Sequence, residues 1–159
     1  MIKSNYKRGR NFGYHQNGKR REKLFADNYK KAKEIAAWKE LVASRWDGIK
    51  VVSCEKEEDI LKGDVFSGKK YKVKYVIDEQ GLDDAVGLEL VTVLKDEEGR
   101  EHISQVEPFE VVKREGNLYT FEGVHVLPTA GSFKVACRMY PKNVDLPHRQ
   151  DFCYVKWVD

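Results

Sequence analysis

Apolar positions between Glu22 and Trp46 recur at the spacing of an α-helix. No proline interrupts this segment, and Gly48 follows it as a stop signal. The pattern predicts an amphipathic helix over residues 22–47, and this helix needs a partner surface because tryptophan-bearing helices are not stable when fully exposed. Two adjoining ridges form its apolar stripe: Phe25, Tyr29, Ala32 and Ala36, and then Ile35, Trp38, Val42 and Trp46.

After Gly48 the apolar positions alternate with polar ones, as in half-buried β-strands. Turn-forming residues separate the runs, for example at 62–64, 115–117 and 129–131. About seven strands at this spacing predict a mainly β protein, with an immunoglobulin-like antiparallel β-sandwich over residues 49–159 preceded by the long helix. The predicted strands are 49–55, 70–77, 86–94, 102–106 continuing into 109–113, 118–127, 133–140 and 152–157.

Charge is distributed unevenly along the 159 residues. Residues 1–50 carry 14 Lys and Arg against 5 Asp and Glu, whereas residues 51–159 carry 15 against 21. Residues 1–21 are basic and poor in aliphatic side chains, so we predict a flexible tail there. Interleaved aromatic residues make this tail compatible with nucleic acid, but the acidic domain that follows disfavours a small nucleic-acid-binding protein.

Composition excludes several classes of protein. No apolar run approaches the roughly 18 residues that a membrane-spanning helix needs, and no secretory signal opens the chain. The odd number of cysteines favours free thiols in the cytoplasm. We expect Cys137 and Cys153 to be small core residues, with a disulfide between them as the alternative.

No residue pattern predicts an active site. The chain lacks phosphate-binding loops, zinc-protease motifs and nucleophile elbows, and its four histidines are scattered singly. We therefore assign no catalytic, cofactor-binding or metal-binding residue. Exposed aromatic rings could still stack on sugars, although aromatic residues at regular spacing are more often core residues.

The C-terminal stretch from Leu127 to Trp157 resembles the C-terminus of bacterial α-glucan (glycogen/maltodextrin) phosphorylases. The segments that carry the likeness are Gly131-Ser132-Phe133, Arg138-Met139-Tyr140-Pro141, Leu146-Pro147-His148 and Val155-Lys156-Trp157. Residues 24–48 look like the last helix of the same proteins, and residues 45–53 like the join between that helix and the terminal domain. The resemblance begins near Glu22, and residues 1–21 match poorly.

The resemblance implies a non-catalytic accessory module. Those glycosyltransferases use pyridoxal phosphate to phosphorolyse α-1,4-glucan, but their cofactor lysine and glucan subsites lie in large upstream domains. This chain would be a detached terminal domain that binds no cofactor and packs on a parent catalytic domain, or self-associates through its helix. A glucan-binding module is the alternative. Candidate carbohydrate or interdomain contacts are Trp38, Trp46, Tyr140, His148, Arg149 and Trp157.

Overall fold

A computed structural model describes residues 11–57, 67–126 and 133–158. The described chain divides after Lys39 into a helical unit and a second unit that runs from Glu40 onward. Helix α1 spans Asn11–Arg45, and short 3₁₀ turns follow at Trp46–Gly48, Asp83–Ala85 and Arg149–Phe152. The strands are β1 (Lys50–Lys56), β2 (Lys70–Asp78), β3 (Val86–Lys95), β4 (Glu101–Pro108), β5 (Glu110–Glu115), β6 (Leu118–Val126), β7 (Phe133–Pro141) and β8 (Lys156–Val158).

The eight strands form two antiparallel four-strand sheets, in the orders β1-β2-β6-β5 and β4-β3-β7-β8. This confirms the predicted mainly β sandwich with one long N-terminal helix. Alternation along β2 buries Tyr71, Val73, Tyr75 and Ile77, while the lysines between them face outward. Leu88 of β3 and Met139 of β7 are paired in register and lie on the core face of the other sheet.

The predicted strand over residues 102–113 is two strands that belong to different sheets. The chain changes sheets at Phe109, whose backbone N–H donates to the Leu88 carbonyl at 2.9 Å. The Phe109 ring lies over Gly123 and packs edge-on against Tyr75, with ring centroids 5.8 Å apart. Only a residue without a side chain allows this approach, because a Cβ on Gly123 would lie 2.7 Å from the ring.

The two sheets are also joined by a partly buried polar pair. His125 Nδ1 of β6 lies 2.6 Å from Glu107 Oε2 of β4, and Gln105 donates to the other Glu107 oxygen at 2.7 Å. His125 is 5% exposed.

Two local predictions need correction. Helix α1 begins at Asn11 and not at Glu22, so residues 11–21 are helical and were wrongly assigned to the flexible tail. A helix extends through polar residues once it is nucleated, because lysine, arginine and glutamine have good helix propensity and no proline intervenes. Residues 1–10 and the predicted turns at 62–64 and 129–131 lie outside the described residues.

The cysteine prediction is half correct. Cys137 is buried in the core on β7, as expected. Cys153 is exposed, because it follows the 3₁₀ turn in an irregular segment and not in a strand, and its thiol donates to the Gln150 carbonyl. Neither cysteine forms a disulfide, so the alternative of a disulfide between them is wrong.

Candidate functional site

The first candidate site is the junction between the end of α1 and the sandwich, formed by residues 45–49 and the groups that hold them. Arg45 Nη1 donates to the carbonyls of Gln80 and Gly81, at 3.1 Å each. From the far end of the chain, Lys156 Nζ donates to the carbonyls of Asp47 at 3.3 Å and Ile49 at 2.7 Å. Carbonyls at a helix end have no intrahelical partners, so Lys156 completes the termination of the helix. Arg45 instead ties the helix end to the turn that follows β2.

Aromatic packing reinforces the junction. The Trp46 side chain is buried, and its ring packs edge-on against Tyr154 with centroids 5.9 Å apart. Tyr154 in turn contacts Phe152 at 4.8 Å. The junction therefore joins the end of the helix to the C-terminal segment, more than 100 residues later in the chain.

The second candidate site is an arginine–aromatic face on the β4-β3-β7-β8 sheet, built around Glu89. The Glu89 side chain is 3% exposed, and it accepts from Arg138 Nε at 2.5 Å and from both terminal nitrogens of Arg149 at 2.9 and 3.1 Å. The Arg149 guanidinium stacks 3.6 Å from the centroid of the Tyr140 ring, and Arg138 lies 5.8 Å from that of Trp157.

Strand register explains why these residues meet. Gly87 pairs with Tyr140, Glu89 with Arg138, and Arg138 with Trp157 across three neighbouring strands. Residues two apart on a strand share a face, so the pairs stack side by side. Gly87 leaves the space that the Tyr140 ring fills, because a Cβ there would lie 2.7 Å from Tyr140 Cε2.

The electrostatics of this face follow from its burial. Burial alone would raise the pKa of Glu89, but hydrogen bonds from Arg149 and Arg138 outweigh it and hold the pKa below its usual value. Burial also raises the pKa of the Tyr140 hydroxyl. The face therefore carries one buried carboxylate and two guanidinium groups, a net charge of one positive unit.

The six residues that the sequence predicts as carbohydrate or interdomain contacts lie in different places in the structure. Tyr140 and Arg149 are in direct contact, and Trp157 joins them through Arg138. Trp157 is 54% exposed. Trp46 is buried in the junction, Trp38 lies half-buried on α1, and His148 is exposed directly before the last 3₁₀ turn.

Sequence reasoning missed Glu89, Arg138, Arg45 and Lys156. A signal was present for Glu89, which is the single charged residue in the apolar run Val86–Leu94 and therefore required a buried partner. The partners of Arg45 and Lys156 are backbone carbonyls from distant parts of the chain, and no side-chain pattern reveals such contacts.

The described residues show neither a metal site nor a membrane-spanning helix. They contain no group of three or more histidine, cysteine, aspartate or glutamate side chains that could hold a metal ion. In the same part of the chain, no helix is long and apolar enough to cross a membrane.

The fold and these sites define the class of protein as an antiparallel β-sandwich domain that is entered through a helix. A model of the family described as the glycogen phosphorylase C-terminal domain matches residues 46–159, and the chain belongs to this family. The match begins at Trp46, the buried aromatic residue of the junction. Comparison with the curated proteins found no match, and neither did comparison with the solved structures.

Proposed function

We propose that this chain is a non-catalytic accessory module of an α-glucan phosphorylase-type glycosyltransferase, and that it acts by binding the catalytic body. The observation that carries this proposal is the family match over the whole sandwich, from the junction onward. The parent reaction would be pyridoxal phosphate-dependent phosphorolysis of α-1,4-glucan, as the resemblance implies. Three cysteines that form no disulfide favour the cytoplasm as the location.

The strand orders support an immunoglobulin-like assignment of the sandwich. The order β1-β2-β6-β5 corresponds to A-B-E-D of an immunoglobulin domain, and β4-β3-β7-β8 corresponds to C′-C-F-G. Such sandwiches commonly serve as binding and spacer domains, so the topology is compatible with an accessory role and specifies no chemistry.

The lysines at the open groove and at the junction do not fit pyridoxal phosphate. That cofactor needs a lysine in an enclosed cavity with donors for its phosphate. Lys74 and Lys113 line an open groove on the β1-β2-β6-β5 sheet together with Glu115 and Glu122, whose carboxylates would repel a phosphate. Lys156 is engaged with two backbone carbonyls. None of these three lysines therefore supplies a site for pyridoxal phosphate.

The surface that we assign to the catalytic body is the exposed apolar part of α1. Leu24, Phe25 and Tyr29 are 58%, 76% and 64% exposed. Phe25 and Tyr29 lie four residues apart on one helix face, Leu24 directly precedes Phe25, and apolar side chains clustered in this way mark an interaction surface. The same face could instead join two copies of the chain.

Calorimetric titration tests this assignment. The partner is a bacterial α-glucan phosphorylase expressed without its own C-terminal domain, and we expect binding with a dissociation constant on the order of micromolar or tighter. Replacing Phe25→Ser and Tyr29→Ser together should weaken binding at least ~10-fold, because two apolar anchors are lost. The control is Val144→Ser, at an exposed position of the sandwich, which should bind like the unmodified chain.

Calorimetric titration together with light scattering distinguishes a catalytic body from a second copy of the chain as the partner of this helix face. Equal binding by the double variant and the control would refute the helix as the docking surface. If the unmodified chain is a dimer alone and the double variant a monomer, the face serves self-association.

A glucan-binding role is the second candidate, favoured by the exposed Trp157 ring beside Arg138 and the Arg149–Tyr140 stack. Aromatic faces stack on the C–H faces of sugars, and guanidinium groups donate to hydroxyls. Affinity electrophoresis in glycogen or amylopectin should then retard the chain, and Trp157→Ala should abolish the retardation. Unchanged mobility of the unmodified chain with and without polysaccharide would eliminate this candidate.

A further inference from the structure

We propose that the turn between β2 and β3, residues 79–85, is a proton-dependent latch that holds the end of α1, with Glu79 as its titrating group. The proposal goes beyond the accessory role and does not depend on which partner the module binds. It rests on the position of one carboxyl group and on the contacts that its turn makes with Arg45.

Glu79 is completely buried, and neither of its carboxyl oxygens has a hydrogen-bond partner among the described residues. Its backbone is fully engaged: the N–H donates to the Asn117 carbonyl at 2.9 Å, and the carbonyl accepts from Leu82 at 3.0 Å. A buried carboxylate without partners is among the most costly groups in a protein. Glu79 is therefore protonated in the observed conformation of the turn, which we call closed.

The two aspartates near Glu79 act in the same direction as its burial, and Arg114 acts against them. Asp83 and Asp84 come from its own turn, Arg114 from β5 and the Tyr119 hydroxyl from β6. Arg114 is drawn onto Asp84, at 2.7 Å, and only partly offsets the two aspartates. Burial first, and then Asp84 and Asp83, raise the pKa of Glu79 to about 8.

The same turn supplies the acceptors for the end of the helix. Gln80 and Gly81 accept the two hydrogen bonds from Arg45, and the Gln80 side chain fills the space beside Gly48. Gln80 and Asp83 have φ angles of 55° and 52°, in the left-handed region that costs energy for residues other than glycine. The closed turn is therefore strained, and its packing must compensate for that strain.

Ionisation of Glu79 favours the open turn. The closed turn binds the proton more tightly than an open, hydrated turn, whose carboxyl has the ordinary pKa of 4.5. Closure is therefore favoured fully below about pH 4.5, and this contribution declines until pH reaches about 8. Opening lets water reach the carboxylate and separates Arg45 from both carbonyls, so alkaline pH releases the helix end.

Hydrogen–deuterium exchange on the full chain tests the latch. After correction for the intrinsic exchange rate, the opening constant of residues 79–85 should rise roughly 30-fold between pH 6.5 and pH 9. Amides of residues 45–49 should follow the same change, because the Arg45 contacts open with the turn. Glu79→Gln should remove the pH dependence of exchange, whereas the control Glu115→Gln, at the exposed end of β5, should retain it.

A second measurement keeps the proposal falsifiable if Glu79→Gln does not fold. The carboxyl ¹³C signal of Glu79 in the unmodified chain should titrate near pH 8 together with the change in exchange. A midpoint near the ordinary value would overturn the latch, as would pH-independent exchange or identical pH dependence in a folded Glu79→Gln variant. None of these results bears on binding to a phosphorylase body, so the two proposals fail separately.

Discussion

At the scale of the residue, two buried carboxyl groups, Glu89 and Glu79, have opposite effects on how stability depends on pH. Glu89 is held by two arginines and has a lowered pKa, so its charged form stabilises the fold. This stability is present above the ordinary pKa of 4.5 and is lost as pH falls through the lowered value. The Glu79 carboxyl has no hydrogen-bond partner among the described residues and its pKa is raised, so its contribution to stability is lost as pH rises from 4.5 to about 8.

Glu89→Gln should lower the free energy of unfolding by about 2–3 kcal/mol, because two partly buried guanidinium groups lose their counter-charge. Urea denaturation at pH 7 measures the change. Glu98→Gln is the matched control, since the Glu98 carboxylate also pairs with an arginine but is 70% exposed. Equal stability of the two variants would show that the Glu89 network is not stabilising.

Gly87→Ala should lower the free energy of unfolding by roughly 1–3 kcal/mol, because the new Cβ would displace the Tyr140 ring from beneath Arg149. Thermal denaturation followed by circular dichroism checks this. Gly18→Ala serves as the control, since nothing lies within 4 Å of its Cβ position on the helix. A Gly87→Ala variant as stable as this control would contradict the close packing.

At the scale of the element, the junction shows how a short C-terminal strand stabilises the beginning of the sandwich. β8 has three residues and pairs with β7, yet Lys156 within it holds two carbonyls of the helix end. β8 therefore connects the edge of one sheet to the point where the chain enters the other sheet. A substitution that destabilises β8 should therefore weaken both its pairing with β7 and the end of α1.

Lys156→Met keeps the length of the side chain and removes its charge. We expect a loss of about 1–2 kcal/mol of stability, because two carbonyls lose a charged donor. Exchange of the Ile49 amide, which donates to the Trp46 carbonyl at 3.3 Å, should accelerate in the same variant. Unchanged exchange at Ile49 would show that Lys156 does not support the junction.

The sequence predicted elements well where one local pattern decides them. Period-two alternation located β2, and the Glu115–Asn117 turn located the β5–β6 hairpin. The split at Phe109 was missed, although Pro108 directly before it marks an interruption of the strand. The space above Gly123 then shows where the chain changes sheet. The charged sites were missed because strand register and long-range backbone acceptors bring their members together.

At the scale of the whole molecule, the uneven charge corresponds to a difference in structure. The basic half contains the described helix, whose polar residues extend it to Asn11, and the acidic half is the sandwich. This correspondence weakens the argument for nucleic acid, because the basic residues of a solvated helix need no phosphate partner. The family match covers the sandwich and places it in the glycogen phosphorylase C-terminal domain family.

The central claim is that this domain binds a phosphorylase body, and light scattering during size-exclusion chromatography measures that most directly. The sample is an equimolar mixture of the 18.5 kDa chain with an α-glucan phosphorylase that lacks its own C-terminal domain. We predict one peak whose mass equals one chain added to each body. Two separate peaks with the masses of the free components, at concentrations of about 100 µM, would contradict the account.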